Sequence, residues 1–231
     1  MKKNGFSERV DYEAKGNKFQ VYIHKKRYQL ARKYVSRTDN ILDIGCGLGW
    51  GTDWLSLASN SVIGLDTCEN ALRVARSRYK GPVFVKADAT ELPFGDQSFH
   101  TVVAIEVIEH VKNQDAFMSE VLRVLKQDGT LILSTPNKRN LVARIANLFG
   151  IEVQKNPYHT NEFDYKTLDA FLTAYGLEIV YKSGLYLPLI PPLGRYMVKL
   201  VESGAFYKLL FRMGMTAPGL ARFSFAVCKK L

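Results

Sequence analysis

The sequence has few cysteines, no long apolar run and no apolar leader. Its three cysteines, Cys46, Cys68 and Cys228, are scattered without C-x-x-C spacing, which excludes a disulfide framework and a cysteine-based zinc site. No apolar run reaches the roughly 18 to 20 residues that a membrane-spanning helix needs. The lysines at the start of the chain are not followed by the apolar stretch of a signal peptide. We therefore expect a cytoplasmic protein.

Acidic residues are scarce towards both ends of the chain, whose net charge is +10. Eight Lys or Arg and no acid lie between Lys15 and Arg37, and Glu202 is the only acid after Tyr181. Such flanks can contact nucleic acid, an anionic membrane surface or an acidic substrate. They can equally form an ordinary solvated surface, so the charge alone leaves these alternatives open.

Short apolar stretches alternate with helical patterns in the middle of the chain. Strands are predicted at Asn40–Gly45, Ser61–Asp66, Val83–Asp88, Thr101–Glu106 and Thr130–Thr135, with two more at Leu177–Lys182 and Ala221–Lys229. Helices are predicted at Lys18–Ser36, Thr52–Ser59, Glu69–Tyr79, Asp115–Lys126 and Tyr165–Tyr175. This alternation predicts an α/β protein, a parallel sheet with helices on both faces. Gly129 is expected to stop the helix before the fifth strand.

A glycine-rich turn, ILDIGCGLGWG, connects the first of these strands to a helix. Gly45, Gly47 and Gly49 permit positive φ and close approach of the backbone to a ligand, and the helix N-terminus offers free N–H groups to an anion. Asp66 and Asp88 end the next two strands, where they can accept hydrogen bonds from ribose hydroxyls and an adenine amine. Either Asp alone can be a helix cap, but the three features at one sheet edge favour a nucleotide ligand.

The spacing of the glycines distinguishes between two nucleotide classes. The dinucleotide fingerprint G-x-G-x-x-G requires a glycine where Trp50 or Thr52 stands, depending on the frame. The pattern here is D-x-G-x-G-x-G, with Asp43 two residues before the first glycine. An NAD-dependent oxidoreductase is therefore disfavoured.

The segments LDIGCGLGWG, VIGLD, VKADATELPF and LKQDGTLILSTPN resemble the successive motifs of class I S-adenosylmethionine-dependent methyltransferases. The resemblance covers Ile41 to Thr135. It implies a Rossmann-like seven-stranded sheet of order 3-2-1-4-5-7-6 with strand 7 antiparallel. It also implies S-adenosyl-L-methionine as the cofactor and S-adenosyl-L-homocysteine as its product.

The same resemblance implies the residues that bind this cofactor. Asp43 and the glycines would hold its amino-acid end, Asp66 its ribose, and Asp88 with Ala89 its adenine. The full set expected at the cofactor is Asp43, Gly45, Cys46, Gly47, Gly49, Asp66, Thr67, Asp88, Ala89, Glu106 and His110.

Candidate catalytic residues follow the fourth strand, in AIEVIEHV. If a helical turn starts there, Glu106, Glu109 and His110 share one face and can act as acid and base or bind a divalent cation. This ExxEH sequence is similar to that of the 3-demethylubiquinone O-methyltransferase family, where it is associated with metal binding. We expect His110 to line the cofactor site and assign no metal ligand, although a divalent cation stays an alternative.

His159 lies in the polar stretch NPYHTNEF, which usually covers the substrate pocket in this fold. His159 is either a general base or a residue that only stabilises the conformation of the loop. The predicted catalytic set is therefore Glu109, His110 and His159.

A short basic amphipathic stretch follows the fifth strand in STPNKRNLVARIANLFG, with Leu141, Ile145 and Leu148 at helical spacing. It resembles an insertion of the ubiquinone family that is linked to membrane contact, and apolar burial with attraction to anionic lipid would explain such contact. The favoured alternative is a lid helix packed over the substrate. The tail from Leu185 onward, which contains LPLIPPLG, does not match that family.

We predict one domain over residues 1–231, made of a basic helical extension (1–37), a cofactor-binding core (38–135), a lid or insertion (136–165) and substrate-side elements with the last strands (166–231).

The predicted activity is methyl transfer to a small apolar or amphipathic acceptor at oxygen. A nucleic-acid methyltransferase is the alternative, although the N/D-P-P-Y/F motif of the base-flipping enzymes is missing after the fourth strand. A non-catalytic cofactor-binding or membrane-surface subunit is the third hypothesis. The sequence does not identify the acceptor or the oligomeric state.

Overall fold

A computed structural model of the chain describes residues 18–151, 156–188 and 204–231. Three parts of the predicted organisation lie outside the described residues. They are the first half of the N-terminal extension, part of the connection before His159, and most of the proline-rich segment of the tail.

The described residues form a seven-stranded sheet flanked by helices. Its strands are β1 Asn40–Ile44, β2 Ser61–Asp66, β3 Val83–Lys86, β4 Phe99–Ile105, β5 Leu125–Pro136, β6 Leu177–Leu185 and β7 Phe223–Lys230. The helices are α1 Lys18–Ala31, α2 Trp50–Ser56, α3 Glu69–Arg78, α4 Gln114–Val124, α5 Leu141–Leu148, α6 Tyr165–Ala174 and α7 Gly204–Thr216. The predicted elements are therefore all present, with shifts of a few residues at their ends.

The sheet has the order β3-β2-β1-β4-β5-β7-β6. Strands β1 to β5 pair in parallel, whereas β7 pairs antiparallel with both β5 and β6. The predicted topology is confirmed. The carboxyl ends of β1, β2, β3 and β4 consequently meet at one edge, where ligands of open α/β sheets bind.

Alternation along the central strands builds an apolar layer on each face of the sheet. On one face Leu42 and Val102 pack with Phe117 and Val121 of α4, and with residues of α6. On the other face Ile41 packs with Tyr28 and other residues of α1, α2 and α7. Helix α1 is thus part of the fold, and it covers the same face as the helix that follows the glycine turn.

The expectation for Gly129 is wrong in its mechanism. Helix α4 ends at Val124, because Leu125 already has extended dihedral angles and begins β5, and the positive φ in this part of β5 belongs to Asp128 (58°). Gly129 is required for space instead, since a Cβ there would lie 2.7 Å from the carbonyl oxygen of Lys126. Among the described residues, no helix has the length and apolar character needed to cross a bilayer.

Candidate active site

The glycine turn connects β1 to α2 at the carboxyl edge of the sheet. Gly45, Gly47 and Gly49 have φ values of 73°, 54° and 82°, which favour glycine over residues with a side chain. Space is also limited, because a Cβ on Gly45 would lie 2.5 Å from Cγ2 of Val107, which follows β4. The turn is therefore packed tightly between the ends of neighbouring strands. Cys46 is buried within it, beside Leu72 and other apolar residues.

Asp66 at the end of β2 ties this turn to the neighbouring strand. Its Oδ2 accepts a hydrogen bond from the amide of Gly47 (2.9 Å), and its Oδ1 accepts one from the amide of Cys68 (2.8 Å). These two hydrogen bonds fix the direction of the Asp66 carboxylate at the sheet edge. Thr67, between Asp66 and Cys68, is exposed at the same edge.

Asp88 is exposed just after β3, and Ala89 beside it is buried. Oδ1 of Asp88 accepts hydrogen bonds from the amide and the hydroxyl of Thr90, at 2.8 and 2.7 Å. These hydrogen bonds hold the pKa of Asp88 below its usual value. The carboxylate is therefore ionised and fixed in direction, as an acceptor for an amine must be.

Asp43 is enclosed beneath the turn rather than exposed to the crevice. The hydroxyl of Tyr28 lies 3.1 and 3.2 Å from its two carboxyl oxygens, and the hydroxyl of Thr52 donates to Oδ2 at 2.7 Å. Burial raises the pKa of Asp43 to about 7, although the two hydroxyls lower it. Any influence of Asp43 on a ligand therefore passes through the turn above it.

Arg27 of α1 is a candidate ligand-binding residue that the sequence analysis missed. Its guanidinium is buried, with 4% of the residue exposed, and Nη2 lies 3.1 Å from Oε2 of Glu106. Among the described residues, its Nε and Nη2 have no hydrogen-bond partner of good geometry. A sequence signal existed, because Arg27 interrupts the buried stripe of α1 that Ile23, Leu30 and Ala31 form at helical spacing.

The helical turn after β4 begins later than the sequence suggested. Glu106 has a positive φ of 58°, and its Oε1 accepts a hydrogen bond from the hydroxyl of Ser134. A 3-10 turn then covers Ile108–His110. Glu106 is thus held by Arg27 and Ser134, so the expectation that it forms one helical face with Glu109 and His110 is wrong.

Glu109 is buried in the 3-10 turn after β4, with 1% of the residue exposed. Its Oε2 accepts a hydrogen bond from the hydroxyl of Thr135 (3.1 Å), whereas Oε1 has no partner among the described residues. Burial, and then the charge of Glu106, raise the pKa of Glu109 well above its usual value. A protonated carboxyl group here can donate a hydrogen bond to a ligand oxygen.

His159 comes from the connection before α6, yet it lies against His110. The centres of the two imidazole rings are 5.0 Å apart, in an edge-to-face arrangement. The hydroxyl of Thr160 anchors the connection by donating to the carbonyl oxygens of Glu109 and Val111, at 3.1 and 3.0 Å. His159, which was predicted separately from Glu109 and His110, thus lies beside them, with one ligand-type atom of each residue within 4.8 Å of the others.

The hydrogen bonds around the two histidines define their tautomers. Oδ1 of Asn156 accepts from the amide of Tyr158, so its Nδ2 donates to Nε2 of His159 at 3.0 Å. Nδ1 of His159 therefore carries the proton that faces Oε1 of Glu162, 2.6 Å away. Nδ1 of His110 lies 3.2 Å from the carbonyl oxygen of Tyr158 and must donate to it. This leaves the lone pair of neutral His110 on Nε2.

Helix α5 begins after Asn140, whose side chain accepts hydrogen bonds from the amides of Val142 and Ala143. Only Ala143 of this helix is buried. Leu148, Phe149 and Ile151 are 83%, 75% and 59% exposed at its carboxyl end. In the described residues, the end of α5 is therefore not covered as a packed lid helix would be.

Comparison with known proteins shows which proteins this chain is similar to. A family described as a methyltransferase domain matches residues 42–133. A probable S-adenosylmethionine-dependent methyltransferase of Mycobacterium tuberculosis is 37% identical over 164 residues, which are 71% of this chain and 57% of that protein. Residues 42–133 therefore match a methyltransferase domain, and the chain is similar to S-adenosylmethionine-dependent methyltransferases. S-adenosylmethionine is the cofactor of this family, with S-adenosylhomocysteine as its product.

A second relative extends the comparison. The mitochondrial ubiquinone biosynthesis O-methyltransferase of Dictyostelium discoideum is 30% identical over 203 residues, covering 75% of this chain and 63% of that protein. The chain thus spans 57% to 63% of the length of these two relatives.

Two solved structures show the same fold at low sequence identity. A methyltransferase structure from Methanosarcina mazei has a TM-score of 0.60 at 24% identity and covers 87% of this chain and 97% of that chain. The [4+2]-cyclase SpnF has a TM-score of 0.64 at 19% identity, with 91% of this chain and 82% of that chain covered. Since the fold also occurs in a protein named as a cyclase, the reaction must be argued from the site.

Proposed function

We propose that the chain transfers a methyl group from S-adenosylmethionine to an oxygen of a small apolar or amphipathic acceptor. The observation that carries this proposal is the convergence of Glu109, His110 and His159 at the sheet edge that bears the glycine turn. The ubiquinone biosynthesis O-methyltransferase among the relatives supports transfer to oxygen. The bound cofactor supplies a methyl group made electrophilic by its sulfonium.

The residues implied by the family resemblance fit such a cofactor. Most amides of the glycine turn already donate within the protein, as that of Gly47 does to Asp66. The turn would therefore meet the amino-acid end of the cofactor through its glycine backbone, which permits close approach, while Asp66 and Asp88 would accept hydrogen bonds from its ribose and adenine. We add Arg27, because buried N–H groups without partners are costly and a ligand carboxylate would satisfy them. Asp43 contributes indirectly, by supporting the turn through Tyr28 and Thr52.

His110 is the general base that the hydrogen bonds favour. Its Nδ1 is oriented by the carbonyl oxygen of Tyr158, which leaves Nε2 to accept the proton of an acceptor hydroxyl. Both ring nitrogens of His159 are hydrogen-bonded, to Glu162 and Asn156. His159 would therefore pack against the His110 ring and stabilise the connection before α6. Protonated Glu109 can donate to an acceptor oxygen.

A divalent cation does not fit the present arrangement of these groups. Both ring nitrogens of His159 are engaged, and Glu106 is held by Arg27 and Ser134. Only Glu109 Oε1 and His110 Nε2 offer lone pairs without a partner in the described part of the site, too few for a closed metal site. We therefore derive no step through a metal.

We propose a cytoplasmic location with peripheral membrane contact through the end of α5. Its exposed Leu148, Phe149 and Ile151 follow the basic residues Lys138, Arg139 and Arg144 in sequence. Apolar burial and attraction to anionic lipid would act together there. A membrane-embedded, apolar acceptor would then be reached without leaving the bilayer surface.

Calorimetry with S-adenosylhomocysteine, followed by transfer of a labelled methyl group to fractions of a cell extract, tests the proposal. We expect binding by the native protein, its loss in Asp66→Ala and Gly47→Val, and label in the organic-soluble fraction. Label in nucleic acid, with steeply salt-dependent RNA or DNA binding, would favour the alternative class of methyltransferase. Binding without any transfer would favour a non-catalytic subunit.

A further inference from the structure

An irregular segment connects β3 to β4, and it begins with the residues proposed to bind adenine. Asp88 and Ala89 lie at its start, and few backbone hydrogen bonds stabilise it internally, such as those from Glu91 to Asp88 (3.2 Å) and from Phe94 to Leu92 (2.8 Å). Without a helix or a paired strand, the position of this segment must depend on contacts with its surroundings.

Arg123 of α4 makes an unusual number of those contacts. Its Nη2 donates to the carbonyl oxygen of Leu92 (3.0 Å), and its Nη1 donates to the carbonyl oxygen of Phe94 and to Oδ1 of Asp96, both at 2.8 Å. One guanidinium thus holds three points along the segment. The planar fork of arginine permits this, whereas a lysine ammonium on a flexible stem does not.

Glu120, one turn earlier on α4, completes the arrangement. Its two oxygens accept from Nε and Nη2 of Arg123 at 2.7 and 2.8 Å, and Oε2 also accepts from the amide of Leu92 at 2.7 Å. Both backbone groups of Leu92 are consequently held by one bidentate ion pair, as they would be by a neighbouring strand. Such charge-assisted hydrogen bonds are stronger than neutral ones.

The ion pair is not needed to attach α4 to the core. Phe117, Met118, Val121 and Val124 of this helix are fully buried against the sheet, on the apolar stripe opposite its polar face. Arg123 and Glu120 remain partly exposed. Loss of the ion pair should therefore release the segment while the helix and the sheet stay in place.

We propose that Arg123 and Glu120 are positioning residues for adenine recognition, which fix the β3–β4 segment so that Asp88 and Ala89 meet the adenine ring in the correct direction. The inference rests on the proposed cofactor and goes beyond it, because neither residue is itself expected to contact the ligand. They act through the backbone of Leu92.

The test compares Arg123→Lys and Glu120→Gln with the matched control Arg73→Lys, which changes an exposed arginine of α3. Calorimetry measures the dissociation constants of S-adenosylhomocysteine and of S-inosylhomocysteine, which lacks the exocyclic amine. We expect the native protein and the control to prefer the adenosyl compound. Both test variants should bind it about tenfold more weakly while binding the inosyl compound almost unchanged, so that the preference disappears.

Hydrogen exchange gives a second readout that does not depend on ligand binding. The amide of Leu92 should exchange faster in Glu120→Gln, while amides of β1 and β4 keep their protection. Equal weakening of both compounds, or an unchanged preference, would overturn the inference. If Arg123→Lys does not fold, Glu120→Gln decides alone, since it keeps the arginine. No binding of either compound by the native protein would instead refute the proposed function.

Discussion

The guanidinium of Arg27 and the carboxylate of Glu106 form an ion pair that joins helix α1 to the end of β4, with 3.1 Å between Nη2 and Oε2. Glu106 directly follows β4 at the sheet edge where the cofactor is proposed to bind, and it has a positive φ there. Non-glycine residues with such dihedral angles are stabilised by their surroundings and are frequent at functional sites. Helix α1 therefore contributes to the site as well as to the fold.

Arg27→Met should weaken binding of S-adenosylhomocysteine by roughly tenfold to a hundredfold, because a charge-assisted hydrogen bond to its carboxylate is lost. The matched control is Lys33→Met, which removes the same charge from an exposed residue just after α1. Calorimetry of the two variants measures the difference. Equal affinities in both variants would contradict the proposed contact.

The packing of α1 on α2 depends on Gly51. A Cβ at this position would come within 2.0 Å of the Tyr28 ring, so Gly51→Ala forces the two helices apart. We expect a loss of about 1 to 3 kcal/mol in the free energy of unfolding, measured by urea denaturation. Tyr28→Val should recover part of this loss in the double variant, because the ring is then absent.

Gly95→Ala is the control for this experiment. A Cβ there meets only the hydroxyl of Ser98, at an ordinary 3.7 Å, and Gly95 has no positive φ among those found. A similar loss in Gly95→Ala would show that the effect at Gly51 is not due to contact with Tyr28.

The sequence predicted the sheet and the positive φ of the glycine turn well because both depend on local patterns. Apolar strands of β1 to β5 and the positive-φ glycines are visible as runs and spacings, and they need no knowledge of distant contacts. Arg27 was missed because its importance arises from a residue of another element, Glu106. Its position within the apolar stripe of α1 is visible in the sequence, but the partner that gives this position a role is not.

The site after β4 shows the same limit. The sequence indicated Glu109, His110 and His159 as candidates, which lie together in the structure, but it also grouped Glu106 with Glu109 and His110 by helical spacing. The strained conformation of Glu106 and its bonds to Arg27 and Ser134 override that spacing. Local periodicity could not reveal this, because the partners are distant in sequence.

The buried carboxyl group of Asp43 should make stability depend on pH. Its pKa of about 7 in the folded protein lies above the value of about 4 for an unfolded Asp. Between these two values the folded state holds a proton that the unfolded state has released, so the free energy of unfolding falls as the pH rises. Below about pH 4 both states are protonated, and above about pH 7 both are ionised.

Urea denaturation of the native protein and of Asp43→Asn at pH 5 and pH 8 isolates this effect. The native protein should lose about 2 kcal/mol more than the variant between the two pH values. Parallel losses in the two proteins would mean that other groups, such as Glu109, cause the dependence.

His110 should contribute to transfer and little to cofactor binding. We expect His110→Gln to lower kcat by roughly a hundredfold or more, with an unchanged affinity for S-adenosylhomocysteine. Glu162→Gln should have a smaller effect, because it only orients His159, which supports His110. Initial rates of labelled methyl transfer to an active fraction of the extract measure both. A larger effect in Glu162→Gln than in His110→Gln would reverse the two roles.

The exposed apolar residues at the end of α5 should determine binding to anionic vesicles. Replacing Leu148 and Phe149 by Gln removes two side chains that are 83% and 75% exposed, whose burial in lipid would otherwise contribute favourably. The control is Leu57→Gln, which changes an equally apolar residue, 67% exposed, just after α2. Sedimentation with vesicles of phosphatidylserine and phosphatidylcholine should show binding that falls about tenfold or more in the double variant, and not in the control.

Because the basic residues of this region attract the anionic surface, raising the salt concentration should weaken the binding that remains. Binding that resists both the double substitution and salt would place the contact elsewhere on the protein.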